Sequence, residues 1–328
     1  MRSVLLIALG SGLYAAFVAG ACASPYQGQD TELVDRSEAN APIGRDGAPS
    51  GSSSGAIPGT EAGAGETGTE QPPGEGPCDS SHGVGALEDV AGLVSADYRM
   101  GARLSEDELH VVFLQVRDRA AEGSPTDAYV ASRASKTAPF DAPQKVNAAA
   151  ASIVVSLSPD ALSMYFTPHR PTGNDGVQIT TRSSRDAMFV GAAAVAGVPA
   201  YSYSPFATAA GTLLFAQFPD SAASTILQAP VSGMGVGGAE ALFGLGSNDV
   251  DFPTLSSDGA ELFYTEYLQP SGGAYRRATR AGGGAFAPVP LPGLDESLHE
   301  VTWVSADACR LYVTDWRSYT LQVARRLP

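Results

Sequence analysis

The chain has 328 residues, 44% of them hydrophobic and only 17% charged, with a formal net charge of −15. Lysine occurs only at Lys136 and Lys145, and no basic stretch offers the positive face that a nucleic-acid partner needs. The part from Cys78 onward is long enough to bury one sizeable core.

Residues 1–21 have the layout of an export signal. Arg2 gives a short positive start, Val4 to Val18 are apolar but too few to read as a spanning helix, and Ala19-Gly20-Ala21 are small. Cys22 follows directly. Small residues before a lone cysteine resemble a bacterial lipoprotein signal. The resemblance implies that Cys22 is lipidated, becomes the new N-terminus and anchors the chain to a membrane. Ala23 and Ser24 lack the aspartate that would retain such a protein at the inner membrane. The implied address is the outer membrane, on its periplasmic or its surface side. A plain secretory signal cut after Ala21 or Ala23 is the alternative.

Residues 22–77 read as a disordered acidic tether. The stretch from Ser24 to Pro77 is mostly Gly, Ser, Ala, Pro, Glu and Thr, with nine acidic residues and two basic ones, Arg36 and Arg45. Such a composition buries too little apolar surface to offset its ordering entropy. Like charges and prolines keep it extended, as a spacer between anchor and head.

Residues 78–328 are the head, and one phrase recurs along it. It reads Leu104-Ser-Glu-Asp-Glu-Leu-His-Val-Val-Phe113, Leu157-Ser-Pro-Asp-Ala-Leu-Ser-Met-Tyr-Phe166, Leu255-Ser-Ser-Asp-Gly-Ala-Glu-Leu-Phe-Tyr264 and Val304-Ser-Ala-Asp-Ala-Cys-Arg-Leu-Tyr-Val313. Each copy is a strand, a Ser/Asp turn and a second strand. The turn aspartates are Asp107, Asp160, Asp258 and Asp307. Asp258 and Asp307 are 49 residues apart, and Asp160 and Asp258 twice that. The halfway point, Ala209, lies in Thr208-Ala-Ala-Gly-Thr-Leu-Leu-Phe215, which keeps the turn but not the carboxylate. Arg133, Arg182 and Arg280 follow the same ruler, as do Phe140 and Phe189, with Phe286 one residue early. A unit of this kind cannot bury its own apolar faces and must stack on its neighbours.

Within the fourth copy four strands are predicted, at Asp251–Leu255, Glu261–Glu266, Ala274–Arg280 and Phe286–Leu291, divided by Gly- and Ser-rich turns. Four strands in about 49 residues is the size of a propeller blade. Copies start near Gly101, Ala151, Pro199, Asp249 and Leu298, which predicts an all-β, five-bladed β-propeller of four-stranded blades. The last copy runs out after three strands. Residues 86–93 resemble the fourth strand of the preceding copy, so an N-terminal strand is expected to pair with Tyr319–Arg325 and close the ring, removing an open edge.

The Leu-Ser-Pro-Asp-x-x-x-x-Tyr-Phe phrase resembles the TolB-type, WD40-like propeller repeats of bacterial envelope proteins. It covers four of the five blades well. The resemblance implies a β-propeller fold and leaves function open, since such blades occur in scaffold proteins, peptidase gating domains and lipoproteins.

With Cys22 assigned to lipid, Cys78 and Cys309 remain as an even pair, for which an oxidising compartment favours a disulfide. Cys78 precedes the closing strand, and Cys309 opens the second strand of the blade that strand completes. The alternative is two free thiols. The turn aspartates read as structural, their carboxylates accepting nearby backbone N–H groups. The repeat arginines read as inter-blade or turn-bridging donors.

Asp249, Asp251, Asp295, Glu296 and Glu300 collect near the first strands of the fourth and fifth copies, where a channel mouth is expected. They form a possible ligand site, and calcium is the ion that oxygen ligands would suit. No regular ligand spacing accompanies them, so a solvated acidic rim is the plainer reading, and neither metal nor cofactor is expected. His82, His110, His169 and His299 lack zinc spacing. Gly51-Ser-Ser-Ser-Gly55 and Gly233-Met-Gly-Val-Gly-Gly238 match nucleophile and dinucleotide patterns without the strand and helix that those motifs need. Trp303 is expected in the core; Trp316, at a strand end, is a candidate surface contact for protein or sugar, with ordinary packing as the plainer alternative. The expectation is a non-enzymatic, lipid-anchored envelope platform with a monomeric head, binding an envelope protein or glycan. The alternative is a secreted five-bladed glycoside hydrolase, with Asp251 and Glu300 as its nearest acid and base.

Overall fold

The computed structural model describes Cys78 and residues 82–95, 97–116, 126–169, 176–219, 222–244, 247–268 and 272–327. The export signal, Cys22 and the tether lie outside them. The described residues form strands and turns with no helix. Strand β1 (Val84–Asp89) precedes five groups. Blade one is β2 (Tyr98–Leu104), β3 (His110–Val116), β4 (Thr126–Ser132) and β5 (Gln144–Ala150). Blade two is β6 (Ser152–Leu157), β7 (Ser163–Pro168), β8 (Gln178–Thr181) and β9 (Val190–Ala194). Blade three is β10 (Ser202–Ala207), β11 (Thr212–Gln217), β12 (Thr225–Ser232), the short β13 (Gly235–Val236) and β14 (Glu240–Phe243). Blade four is β15 (Asp249–Leu255), β16 (Glu261–Leu268), β17 (Gly272–Thr279) and β18 (Ala287–Val289). Blade five is β19 (His299–Val304), β20 (Arg310–Asp315) and β21 (Thr320–Arg326), completed by β1. The sheets are antiparallel, and the described residues form a five-bladed β-propeller.

Burial follows position within a blade. The second strands are continuous apolar runs, such as Val111–Leu114, Leu213–Ala216 and Leu311–Val313, buried on both faces because a neighbouring blade covers each side. The outermost strands have lost that cover: β9 is exposed along almost its whole length.

The recurring phrase forms one turn with one chemistry. Asp107, Asp160 and Asp258 each accept the hydroxyl of the serine two residues earlier at 2.6 Å, and Asp307 accepts Ser305 likewise. Each also accepts the N–H two residues later, at 2.9–3.0 Å. The residue after the aspartate is left-handed in every blade: Glu108 (φ 61°), Ala161 (φ 63°), Gly211 (φ 73°), Gly259 (φ 70°) and Ala308 (φ 59°). Glycine suits that geometry, and the other three occupy it at a cost. In blade three the counterpart of the aspartate is Ala210, one residue after the Ala209 expected from the even period. Thr208 Oγ1 accepts the N–H of Thr212, four residues on, where the serines reach five. This turn is one residue shorter and has no N–H in the place that the carboxylate serves elsewhere.

The two other repeat markers turn out to be one device. Arg133, Arg182 and Arg280 each donate Nε–H at 2.7 Å to the carbonyl of the left-handed residue in their own blade. Their guanidiniums lie 4.5, 4.7 and 4.6 Å over the rings of Phe140, Phe189 and Phe286. The arginines are turn-bridging donors held flat by cation–π contact. Arg133 also reaches Tyr312 of blade five at 3.1 Å.

The ring closes on blade five. Strand β1 pairs with β21 in the register Val84↔Arg326 to Asp89↔Gln322. It starts two residues before the predicted 86–93 segment and ends at Asp89; beyond it Val90 donates to Leu321 O at 3.0 Å and the chain turns away. Gly92 (φ 83°) makes that departure, and a Cβ there would lie 2.1 Å from Phe140 O. Cys78 and Cys309 form the expected disulfide, with Cα atoms 5.1 Å apart. Blade five is also docked by buried charge. Glu108, fully buried, meets Arg310 at 2.7 Å, Lys136 at 3.3 Å and Arg133 at 3.6 Å. On its other side Glu261 pairs with Arg277 and Arg326.

Candidate site in the channel and the crevice between blades four and five

The inner strands are irregular where they line the channel. Register shifts fall between Met100 and Arg103, Tyr203 and Phe206, and Asp251 and Thr254. Such bulges break the alternation of a strand and re-aim its side chains. Gly101 (φ 67°), Ser204 (φ 55°) and Phe252 (φ 50°) are left-handed at these points. For a bulky residue such as Phe252 that conformation is strained. Its N–H donates to Asp251 Oδ1 at 2.8 Å, and the Ser204 side chain adds a second bond to that carboxyl.

Arg103 crosses the channel. It comes from blade one, yet its Nη1 donates to Pro253 O at 3.0 Å and Thr254 Oγ1 at 2.8 Å in blade four. Its guanidinium sits 4.7 Å over the Phe206 ring of blade three. Blades three and four are the two that do not adjoin blade one, so these contacts fill the axis. Arg103 is 2% exposed, and burial brings it down to about 10 despite Glu300 and Asp251.

Two of the five predicted acidic residues interact electrostatically with this guanidinium. Asp251, 3% exposed, is pushed up to about 6 by burial, against Ser204, the Phe252 N–H and Arg103. Glu300, 5% exposed, is pushed up to about 7 by burial, against Arg103 and the Trp316 N–H, with Asp251 adding to the rise. The other three are placed elsewhere. Asp249 accepts the Ser224 N–H at 2.8 Å. Asp295 is exposed and holds its own turn through Ser297 at 2.6 and 2.9 Å, which keeps it below the usual carboxylate range. Glu296 pairs with Arg276, which also holds Glu266 at 3.1 Å. Among the described residues no cluster of three or more His, Cys, Asp or Glu could hold a metal ion.

Glu300 also lines a crevice between blades four and five, together with Tyr275, Arg276, Glu296, His299 and Leu291. Its interior space is about 20 Å³, room for about one water. Trp316 Nε1 donates to Glu300 Oε2 at 3.1 Å. The indole is half-buried, parallel to Tyr275 at 6.3 Å and edge-on to Tyr319 at 5.5 Å. Tyr319 in turn meets Tyr98 at 5.5 Å, so an aromatic row runs over blades four, five and one. Trp303 is in the core, edge-on to Tyr312 at 5.6 Å.

Sequence reasoning missed Arg103. The turn serines align it with Ser156, Phe206, Thr254 and Trp303, so the signal was the one cation in an otherwise uncharged column of the repeat. Glu108 was missed in the same way, as an acid at a position held elsewhere by alanine or glycine.

No sequence-family profile matches the chain, and no curated protein does. Solved structures do. TolB from Acinetobacter baumannii is 18% identical over 71% of this chain, with a TM-score of 0.39, and the chain spans only 55% of that protein. A GH43_1 enzyme from Xanthomonas citri, complexed with xylotriose, is 12% identical over 71% of this chain and 88% of its own, with a TM-score of 0.50. The catalytic domain of Coprinopsis cinerea GH62 α-L-arabinofuranosidase is 10% identical over 75% of this chain and 98% of its own, with a TM-score of 0.47. At these identities the likeness is one of fold alone.

Proposed function

We propose that this protein is a non-enzymatic binding platform of a bacterial envelope, its propeller held by a lipid on Cys22 through the acidic tether of residues 22–77. The lipid address rests on the small residues before Cys22, and the disulfide is consistent with an oxidising compartment. One observation carries the non-enzymatic reading. Arg103 and Phe206 fill the channel, both buried carboxyls interact electrostatically with that guanidinium, and the crevice that Glu300 lines has room for about one water. Small-molecule sites are usually pre-formed pockets of at least roughly 300 Å³. The test is capture from detergent-solubilised membranes with the folded, disulfide-bonded head. A partner retained by the head and lost on unfolding it is expected, and no such partner would remove the platform reading. Intact mass of the mature protein checks the anchor: an unmodified N-terminus at Cys22 or Ser24 means plain secretion.

The second reading, a glycoside hydrolase, is favoured by Asp251 and Glu300, two channel carboxyls raised to about 6 and about 7. A panel of nitrophenyl glycosides tests it. Turnover lost in both Asp251→Asn and Glu300→Gln would establish the enzyme.

A further inference from the structure

The seam between blades five and one and the seam between blades one and two use aligned positions, and the second lacks a carboxylate. In the first, Glu108 of blade one lies among residues of both blades. Its Oε1 meets Arg310 at 2.7 Å and Lys136 at 3.3 Å. Its Oε2 meets Arg133 at 3.6 Å and accepts the Tyr312 hydroxyl at 3.2 Å. In the second seam the repeat puts Ala161 in the place of Glu108, His110 in that of Arg310 and Val112 in that of Tyr312. Arg182 and Arg185 stand where Arg133 and Lys136 do, each pair three residues apart and followed by the stacking phenylalanine. The basic positions are kept and the acid is missing. Glu108 (φ 61°) and Ala161 (φ 63°) share one backbone conformation, so the Cβ atoms leave the chain in the same direction. Arg182 is held as Arg133 is, by the Nε–H bond and the ring beneath it, which carries its Nη2 to the place where Arg133 Nη2 meets Tyr312 and Glu108. That Nη2 is buried without a hydrogen-bond partner, and so is Nδ1 of His110. His110 is 7% exposed and Arg182 8%. Burial, and then Arg182, hold His110 below its ordinary range; Arg185 adds to the fall, and Asp107 and Asp186 oppose it. Arg185 is exposed and pairs with Asp107.

We propose that the seam between blades one and two binds a small free carboxylate of acetate size, in the place that Glu108 fills one seam away. The missing atoms define the ligand: beside a glutamate, Ala161 lacks one methylene and one carboxylate. His110 and Arg185 serve one oxygen and Arg182 the other, following the division of Oε1 and Oε2 at Glu108. Two buried donors without acceptors carry a desolvation penalty that such an anion relieves. Val112 and His110 are smaller than the Tyr312 and Arg310 they align with, so the seam gives up side-chain volume together with the acid. A free acid suits the place better than the acidic side chain of a partner, because both unpartnered donors are more than nine-tenths buried. Arg185, at the exposed edge, marks the way in. The site is separate from the channel and does not depend on the platform reading.

Sodium acetate is titrated against the oxidised full-length protein at pH 7, with sodium chloride at equal ionic strength and neutral acetamide as controls. The melting temperature should rise with acetate at about millimolar concentration, rise less with chloride and stay flat with acetamide. The His110 ring signals in proton NMR, identified by their loss in His110→Gln, should move with acetate, and the His110 pKa should rise because the anion favours the imidazolium. Acetate affinity should therefore increase from about pH 8 to about pH 6, by at most about tenfold per unit. Ala161→Glu supplies the carboxylate from the chain itself, in a conformation that Glu108 already adopts. It should melt above Ala161→Gln, which takes the same space without charge, and neither variant should respond to acetate. No rise with acetate, an equal rise with chloride, unmoved His110 signals, a full acetate response in Ala161→Glu, or Ala161→Glu melting below Ala161→Gln would each overturn the proposal.

Discussion

The burial of Asp251 and Glu300 makes stability depend on pH in an unusual direction. Both carboxyls are raised on folding, to about 6 and about 7, so the folded state holds its protons more tightly than the unfolded one. Stability contributed this way is present below the unfolded values, near 4, and is lost as pH rises through the folded values. Asp107, Asp307 and Asp315 are lowered instead, through hydrogen bonds that outweigh the cost of burial, and their contribution disappears only at more acidic pH. Through these two carboxyls the melting temperature should be higher at about pH 5 than at about pH 8, with His110, lowered by burial, acting in the opposite sense. Asp251→Asn with Glu300→Gln should flatten that slope and raise the melting temperature at the alkaline end. A curve unchanged by the double substitution would mean that these two groups do not set it. Arg103→Met removes a cation that favours both charged acids and the donor to Pro253 O and Thr254 Oγ1, and should cost roughly 1–3 kcal/mol at pH 8 by chemical denaturation. The cost should shrink at about pH 5, where both acids hold protons. A loss equal at both values would show that Arg103 acts through its packing on Phe206.

Among the elements, the Ser-x-Asp turn was the most legible, because its chemistry is local: a hydroxyl, a carboxylate and an N–H within five residues. The pairing of the arginines with the phenylalanines was visible only as two markers in step. Their contact depends on the loop between the third and fourth strands of each blade, which sequence does not shape. The bulges of β2, β10 and β15 left no sequence trace except Gly101, so the burial of Asp251 and the reach of Arg103 could not be foreseen. The left-handed turn position offers a test of strain. An alanine there costs roughly 1–2 kcal/mol, while glycine loses roughly 0.5–1 kcal/mol more chain entropy on folding. The first term wins, so Ala161→Gly should stabilise by about 0.5 kcal/mol in denaturant melts. Removing a turn carboxylate, as in Asp258→Ala, should cost about 1 kcal/mol, because the Ala260 N–H loses its acceptor.

For the whole molecule, the blade count and the closing strand could be read from the repeat, since stacking leaves one unit short and the chain supplies it at the other end. The disulfide could be read from the even cysteine count together with that closure. What filled the channel could not, because the five inner strands meet at the axis from positions about 49 residues apart and each bulge sets its own aim. The bridge joins residues 231 apart in sequence, for which the chain-entropy model gives roughly 5 kcal/mol at most. Reduction should lower the melting temperature of the wild type and leave Cys78→Ser/Cys309→Ser unchanged. Equal melting of oxidised and reduced wild type would show that β1 alone secures the ring.

The place of that bridge has a mechanical consequence. Strand β1 is held to β21 by a ladder whose first rung is at Val84. Tension on the chain before Cys78 would, without the bridge, open that ladder rung by rung, the weakest way to load paired strands. With it, the load passes from Cys78 into Cys309, next to β20, which has a hydrogen-bonded neighbour on each side. The closing strand is then bypassed, and the ring carries the pull as one body. Force spectroscopy from the N-terminus should therefore show a single high-force rupture in the oxidised protein and an earlier, weaker event once the bridge is reduced.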